Sequence, residues 1–157
     1  MNIEINELIN EYSNMVLQIA YQNTFNKSDA EDITQEVFIK LIKNLDNFKN
    51  KNHLKAWLIR VTINLSKDYN KSFWNTNITE IDEEVKYFDK ENQDIFKELS
   101  KLNPEYRNII YLYYYQGYKI KEISKILSMN QNTVSSYLTR ARNELKSILE
   151  DGGEVYV

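Results

Sequence analysis

From residue 5 to about 71 and again from 93 to 148, apolar side chains return every three or four positions, and few chain breakers occur: the 157 residues include 3 Gly and 1 Pro. That spacing keeps one face of a helix dry. So few chain breakers leave little material for the tight turns of a sheet. An all-α protein is expected, built as two small helical domains joined by a linker, the second containing a helix-turn-helix. The chain is long enough for one ordinary domain or two small ones.

Ile5, Leu8, Ile9, Tyr12, Met15, Val16 and Ile19 predict a first helix over about 3–24. Ser28, with Glu31 three residues on, has the pattern of a capping box. The helix it opens buries Ala30, Ile33, Thr34, Val37, Leu41 and Leu45. A polar loop at 47–52 precedes a third helix, about 53–71, with Leu54, Trp57, Leu58, Val61 and Leu65 on its core side. Arg60, Asn64, Lys67 and Lys71, spaced four, three and four, form a polar and basic stripe on the same helix. Residues 1–74 make the first domain. Residues 75–92 lose the apolar period, turn acidic and read as the linker.

The second domain, 93–150, starts with Ile95, Phe96, Leu99 and Leu102 facing inward. Asn103-Pro104 supplies a cap and a Pro at the first helical position. That helix runs to Gln116 and stops at Gly117. A short helix at about 119–127 buries Ile120, Ile123 and Leu127. The turn 128–130 ends on Asn130, which caps a last helix carrying Val134, Leu138, Ala141, Leu145 and Ile148 inward. The tail, 151–157, carries no readable signal, and neither does the Tyr-rich run 111–115 beyond being half core and half surface.

Charge is segregated. The formal net is −3, yet 1–39 carries −6, 40–74 carries +6, 75–97 carries −4 and 98–150 carries +3. Two basic blocks separated by acidic ones point to two nucleic-acid-facing surfaces. With 0 Cys, neither a disulfide framework nor a zinc ribbon is available. One His and no Gly-rich phosphate loop argue against an enzyme. Asp29, Asp32 and Glu36 lack a further ligand loop, so no metal and no cofactor are expected. The acidic start and the lack of a long apolar run predict no signal peptide, no membrane insertion and a cytoplasmic protein.

Residues 119–142 have the form of a helix-turn-helix. Asn132, Ser135, Ser136, Thr139 and Asn143 line the outer face of its last helix, flanked by Arg140 and Arg142. Short hydroxyl and amide side chains there reach base edges in a major groove, and Arg reaches bases or phosphates. The plainer alternative is a three-helix bundle whose last helix is merely solvated.

The stretches 102–107, 117–123 and 132–142 (Asn132-Thr133-Val134-Ser135-Ser136-Tyr137-Leu138-Thr139-Arg140-Ala141-Arg142) resemble region four of bacterial sigma factors. Residues 29–38 (Asp29-Ala30-Glu31-Asp32-Ile33-Thr34-Gln35-Glu36-Val37-Phe38), with 56–61 and Asn64, resemble region two. The order and the short connection are similar to the extracytoplasmic-function subgroup of the sigma-seventy family, over about residues 5–150. This resemblance implies a sigma factor whose partners are promoter DNA and core RNA polymerase, through the clamp of its largest subunit and the flap of the second largest. An anti-sigma factor is a candidate further partner.

The resemblance also implies roles. Asp32, Gln35, Glu36 and Ile39 would dock on polymerase. Lys49, Asn50, Lys51, Asn52, His53 and Lys55 would receive a base flipped from the minus-ten element, with Arg60, Asn64, Lys67 and Lys71 tracking the backbone. Lys119, Gln131, Asn132, Thr133, Ser135, Ser136, Thr139, Arg140 and Arg142 would face the minus-thirty-five element. His53 reads more simply as a loop or capping residue, and Trp57 as core. Ser135 and Tyr137 stand where Lys or Arg is frequent, Lys119 where a hydroxyl cap is, and Ser128 where Gly is. The competing reading is a polymerase-independent helix-turn-helix regulator, which would leave the first domain without a purpose.

Overall fold

The computed structural model describes residues 4–69 and 97–151. They belong to two compact units, and no β-strand occurs among the described residues. The expected linker, with Lys71, Ile95 and Phe96, lies outside them.

The first unit packs three helices against one another: α1 (Ile5–Thr24), α2 (Lys27–Lys43) and α3 (Lys51–Tyr69), with a 3-10 turn at Leu45–Asn47. Leu8, Val16 and Ile19 of α1, Ile33, Val37 and Leu41 of α2, and Leu54, Leu58 and Ile59 of α3 are sealed in its core. Phe25 ends α1 in the left-handed region at φ 49°, its N–H bonded to the Tyr21 carbonyl at 2.7 Å.

Three expectations are corrected in this unit. The second helix is capped by Asn26, whose side chain accepts from the Asp29 N–H at 2.9 Å. An Asx cap one residue before a helix captures a free N–H, so Ser28 and Glu31 lie inside the helix. The third helix starts at Lys51, because the Asn50 side chain accepts from the His53 N–H at 2.9 Å. Its core face is also rotated. Thr62, Ile63 and Ser66 are buried, whereas Trp57, Val61 and Leu65 are half-exposed. Thr62 and Ser66 are tolerated there because each hydroxyl donates to the carbonyl four residues back, at 2.6 and 2.7 Å.

The second unit contains α4 (Pro104–Ile110), α5 (Ile120–Leu127) and α6 (Gln131–Asp151). Asn103 caps α4 by accepting from the Tyr106 N–H at 2.9 Å, with Pro104 at the first helical position. Beyond Ile110 the helix widens into a π turn, Tyr111–Tyr115, closed by the Gln116 N–H on the Tyr111 carbonyl at 3.1 Å. Gly117, at φ 71°, ends it. Ile123 and Ile126 are the buried pair of α5, while Ile120 and Leu127 are half-exposed. They face Val134, Leu138 and Ala141 of α6 across the turn. Arg107 is buried, and its Nη1 donates to the carbonyls of Leu102 at 2.8 Å and Ser100 at 3.3 Å. Burial pushes its pKa down to about 10, which leaves it charged at neutral pH.

Two stability tests follow from this unit. Ser128 sits at φ 54°, a conformation that costs a residue with a side chain about 1–2 kcal/mol. Gly is free of that cost but loses more entropy on folding. Ser128→Gly should therefore stabilise the chain by up to about 1 kcal/mol in urea denaturation. Burial raises the Tyr111 pKa to about 12. A phenol whose folded pKa lies above its ordinary value near 10 contributes stability below pH 10, lost as pH climbs through 12. Tyr111→Phe should flatten the fall in unfolding free energy between pH 10 and 12.

Candidate nucleic-acid interface

The N-terminal end of α3 gathers the first set of polar residues. Lys49, Asn50, Lys51, Asn52 and His53 are all exposed there, and the first turn contains no acidic residue. Unpaired N–H groups and the helix dipole make such an end favourable to a phosphate. Several of the side chains already have protein partners. Lys51 pairs with Glu11 of α1 at 3.1 Å, an exposed contact that raises the Lys51 pKa through its hydrogen bond to that carboxylate. The Lys49 N–H donates to His53 Nδ1 at 3.3 Å, and the His53 ring stands edge-on to buried Phe48 at 5.4 Å. His53 thus closes the loop as a capping residue. Asn50 has a divided side chain, with Oδ1 fixed on the His53 N–H and its amide N–H groups at the exposed surface.

Along α3, Arg60, Asn64 and Lys67 are exposed on one face, and Lys55 is half-buried. Beside that face runs a feature missed in the sequence. Trp57, Val61 and Leu65 join Lys40 of α2 and Asn44 just after it, with Asn64 and Asp68, around an open hollow of about 340 Å³. Trp57 is fixed on one side by an edge-on contact with Phe48 at 5.2 Å. The signal was present: α3 carries more apolar residues than one stripe needs, so a second apolar line at 57, 61 and 65 had to face something other than the core.

On α2, Asp32, Gln35, Glu36 and Ile39 are exposed, Ile39 by 53%. Ile42, one turn on, is equally exposed, so the acidic stripe ends in an apolar patch. The Tyr69 hydroxyl donates to Asp32 Oδ2 at 3.1 Å, tying the end of α3 to the start of α2. That bond to a carboxylate raises the Tyr69 pKa.

In the second unit the helix-turn-helix is formed by α5 and α6. Lys119 precedes α5, and its N–H donates to the Glu122 carboxylate at 3.0 Å; the ammonium, a donor only, cannot return the bond. The Ser124 hydroxyl bonds to the Met129 carbonyl. The Asn132 N–H donates to Asn130 Oδ1 at 2.8 Å, so Asn130 caps α6 as expected. Gln131, Asn132, Ser135, Ser136, Thr139 and Arg140 are exposed along α6, and Thr133 is half-buried. The Thr139 hydroxyl donates to the Ser135 carbonyl at 3.1 Å, which leaves its lone pairs outward. Arg142, also exposed, lies over the rings of Tyr113 and Tyr114, and its Nε donates to the Tyr114 hydroxyl. That hydrogen bond holds the guanidinium pKa above its ordinary value.

Among the described residues, no helix is long and apolar enough to cross a membrane.

Comparison with known proteins matches residues 8–75 to the model of Sigma-70 region 2 and residues 92–145 to that of Sigma-70 region 4. The chain is similar to the ECF RNA polymerase sigma factor SigE of Mycolicibacterium smegmatis, 28% identical over 91% of this chain and 60% of that protein. It therefore spans less than two thirds of that relative. The ECF RNA polymerase sigma factor SigW of Bacillus subtilis is 27% identical over 92% of this chain and 88% of its own length. In fold, the chain resembles the sigma factor RpoE of Bartonella quintana, solved in complex with the anti-sigma factor NepR. The TM-score is 0.72 at 22% identity, covering 92% of this chain and 96% of that one. CnrH, solved with the cytosolic domain of CnrY, gives 0.68 at 22% identity, covering 94% and 88%.

The divided role of Asn50 is open to test. Asn50→Ala, which removes the cap, should cost about 1 kcal/mol in thermal or chemical unfolding. Asn50→Asp keeps an acceptor at a helix N-terminus and should leave stability unchanged within about 0.5 kcal/mol, while losing the outward amide donors.

Proposed function

The chain belongs to the sigma-70 family, and from that premise we propose that it binds core RNA polymerase and directs promoter-specific initiation of transcription, as extracytoplasmic-function sigma factors do. The observation that carries this reading is the presence, in one short chain, of both matched regions, each of which presents an exposed polar face on a helix capped by Asn.

The first unit is read as the part that meets polymerase and the minus-ten element. Asp32, Gln35, Glu36 and Ile39 offer acids around an exposed apolar side chain, a combination suited to a basic and apolar surface. Lys49, Lys51 and Lys55 would hold phosphates, Asn50 and Asn52 would read a base edge, and Arg60, Asn64 and Lys67 would track the DNA backbone. The hollow beside Trp57 is large enough to admit part of an unstacked base, whose extraction costs a few kcal/mol. The second unit is read as the minus-thirty-five reader. Asn132, Ser135, Ser136 and Thr139 would enter the groove, with Lys119, Arg140 and Arg142 on the backbone. The protein works by binding, in the cytoplasm where its polymerase is. The solved complex of RpoE with the anti-sigma factor NepR supports an anti-sigma factor as a further partner.

A net charge of −3 leaves little surplus for phosphate neutralisation, which supplies most non-specific affinity. Two weak contacts act together once polymerase fixes their spacing. The free chain should shift promoter DNA weakly in a gel, and core polymerase should strengthen the shift. Strong specific binding by the free chain that polymerase leaves unchanged contradicts the proposal. Run-off transcription with core polymerase on fragmented genomic DNA of the host reads out the promoter directly. Arg60→Ala and Lys67→Ala should each reduce the salt slope of promoter binding by about one and weaken all sequences alike.

A further inference from the structure

The Tyr-rich run 111–115 has no part in the reading above, and the structure gives part of it a contact on the DNA-facing helix. Tyr113 is half-buried, Tyr114 is 54% exposed, and their rings meet edge-to-face at 4.9 Å. The Arg142 guanidinium carbon lies 5.2 Å from one ring centre and 5.4 Å from the other, with Nε–H on the Tyr114 hydroxyl. Arg142 follows Ser135 and Thr139 at helical spacing on α6, so it stands on the same polar face.

The π turn explains how two consecutive tyrosines reach one cation. Each residue in a five-residue turn rotates less about the axis than in an α-helix, so Tyr113 and Tyr114 diverge less and both face α6. Tyr115 is drawn aside and stacks on Tyr111 at 5.7 Å.

We propose that Tyr113 and Tyr114 are positioning residues that hold the Arg142 guanidinium ready for a DNA phosphate, an inference that rests on the sigma-factor reading. A free arginine loses much rotamer freedom when it binds. Here the Nε–H is already engaged by Tyr114, with Tyr113 a further hydrogen-bond partner, and the outer nitrogens carry four N–H groups in the fork that suits a phosphate. The two electron-rich ring faces hold the cation without neutralising it. The clamp therefore lowers the ordering cost of the contact and leaves its charge in place.

The test is a double-mutant cycle on the full chain bound to core polymerase, reading affinity for a promoter fragment recovered by run-off transcription. Y113L/Y114L should weaken binding about 3- to 10-fold, the ordering cost of one rotamer-rich side chain. Y114F, which keeps the ring and loses the acceptor, should weaken it less; this variant also preserves the packing should the double substitution unfold the unit. In an R142A background both changes should fall within about 2-fold of no effect. Additive effects, or tighter binding once the rings are gone, overturn the clamp alone. If the unaltered chain gives core polymerase no promoter affinity, the sigma-factor reading falls and takes the clamp's role with it.

Discussion

A helical chain with almost no Gly or Pro needs another means of stopping and restarting, and here the asparagine carboxamide provides it. Asn26, Asn50, Asn103 and Asn130 each lend a side-chain oxygen to a free N–H in the first turn of α2, α3, α4 and α6. Every helix begins with N–H groups that have no partner in the helix itself. Satisfying one of them fixes the residue at which the helix starts, and so the direction in which each later side chain points. In this chain a carboxamide at each of these four starts sets the register of both polar faces.

The consequence is clearest on α3. With its start fixed at Lys51, the helix turns Leu54, Leu58, Ile59 and Ile63 into the core and leaves Trp57, Val61 and Leu65 beside the exposed Arg60, Asn64 and Lys67. A start at His53 would lengthen the preceding loop by two residues. The short loop that results brings His53 and Phe48 together and steadies Trp57 from below. Buried Phe48 thus backs Trp57, the aromatic that lines the hollow.

Most of this fold is legible in the sequence because it rests on local rules. The apolar period of α1, the Asn103-Pro104 start, the stop at Gly117 and the Asn130 cap depend on neighbours within a few residues. What could not be read depends on competition or on distance. Asn26 and Ser28 are both good caps, and nothing in the sequence alone ranks them. Trp57 looks like core by its neighbours, yet a helix with two apolar lines can bury one of them only if the packing partners allow. The polar residues of both candidate surfaces were found as exposed stripes, but the pairings Lys51–Glu11, Tyr69–Asp32 and Arg142–Tyr114 join residues 28 to 40 positions apart. No periodicity encodes those.

The widened turn after Ile110 also constrains how this segment can change over generations. It holds one residue more than an ordinary turn would, in a stretch of near-identical tyrosines where slippage in length goes almost unnoticed in composition. Removing any one of them would let the backbone close to regular pitch over nearly the same arc, leaving the flanking helix in place but separating Tyr113 and Tyr114 by a full α-helical step. A change of count there is felt at the tyrosine pair and not along the helix.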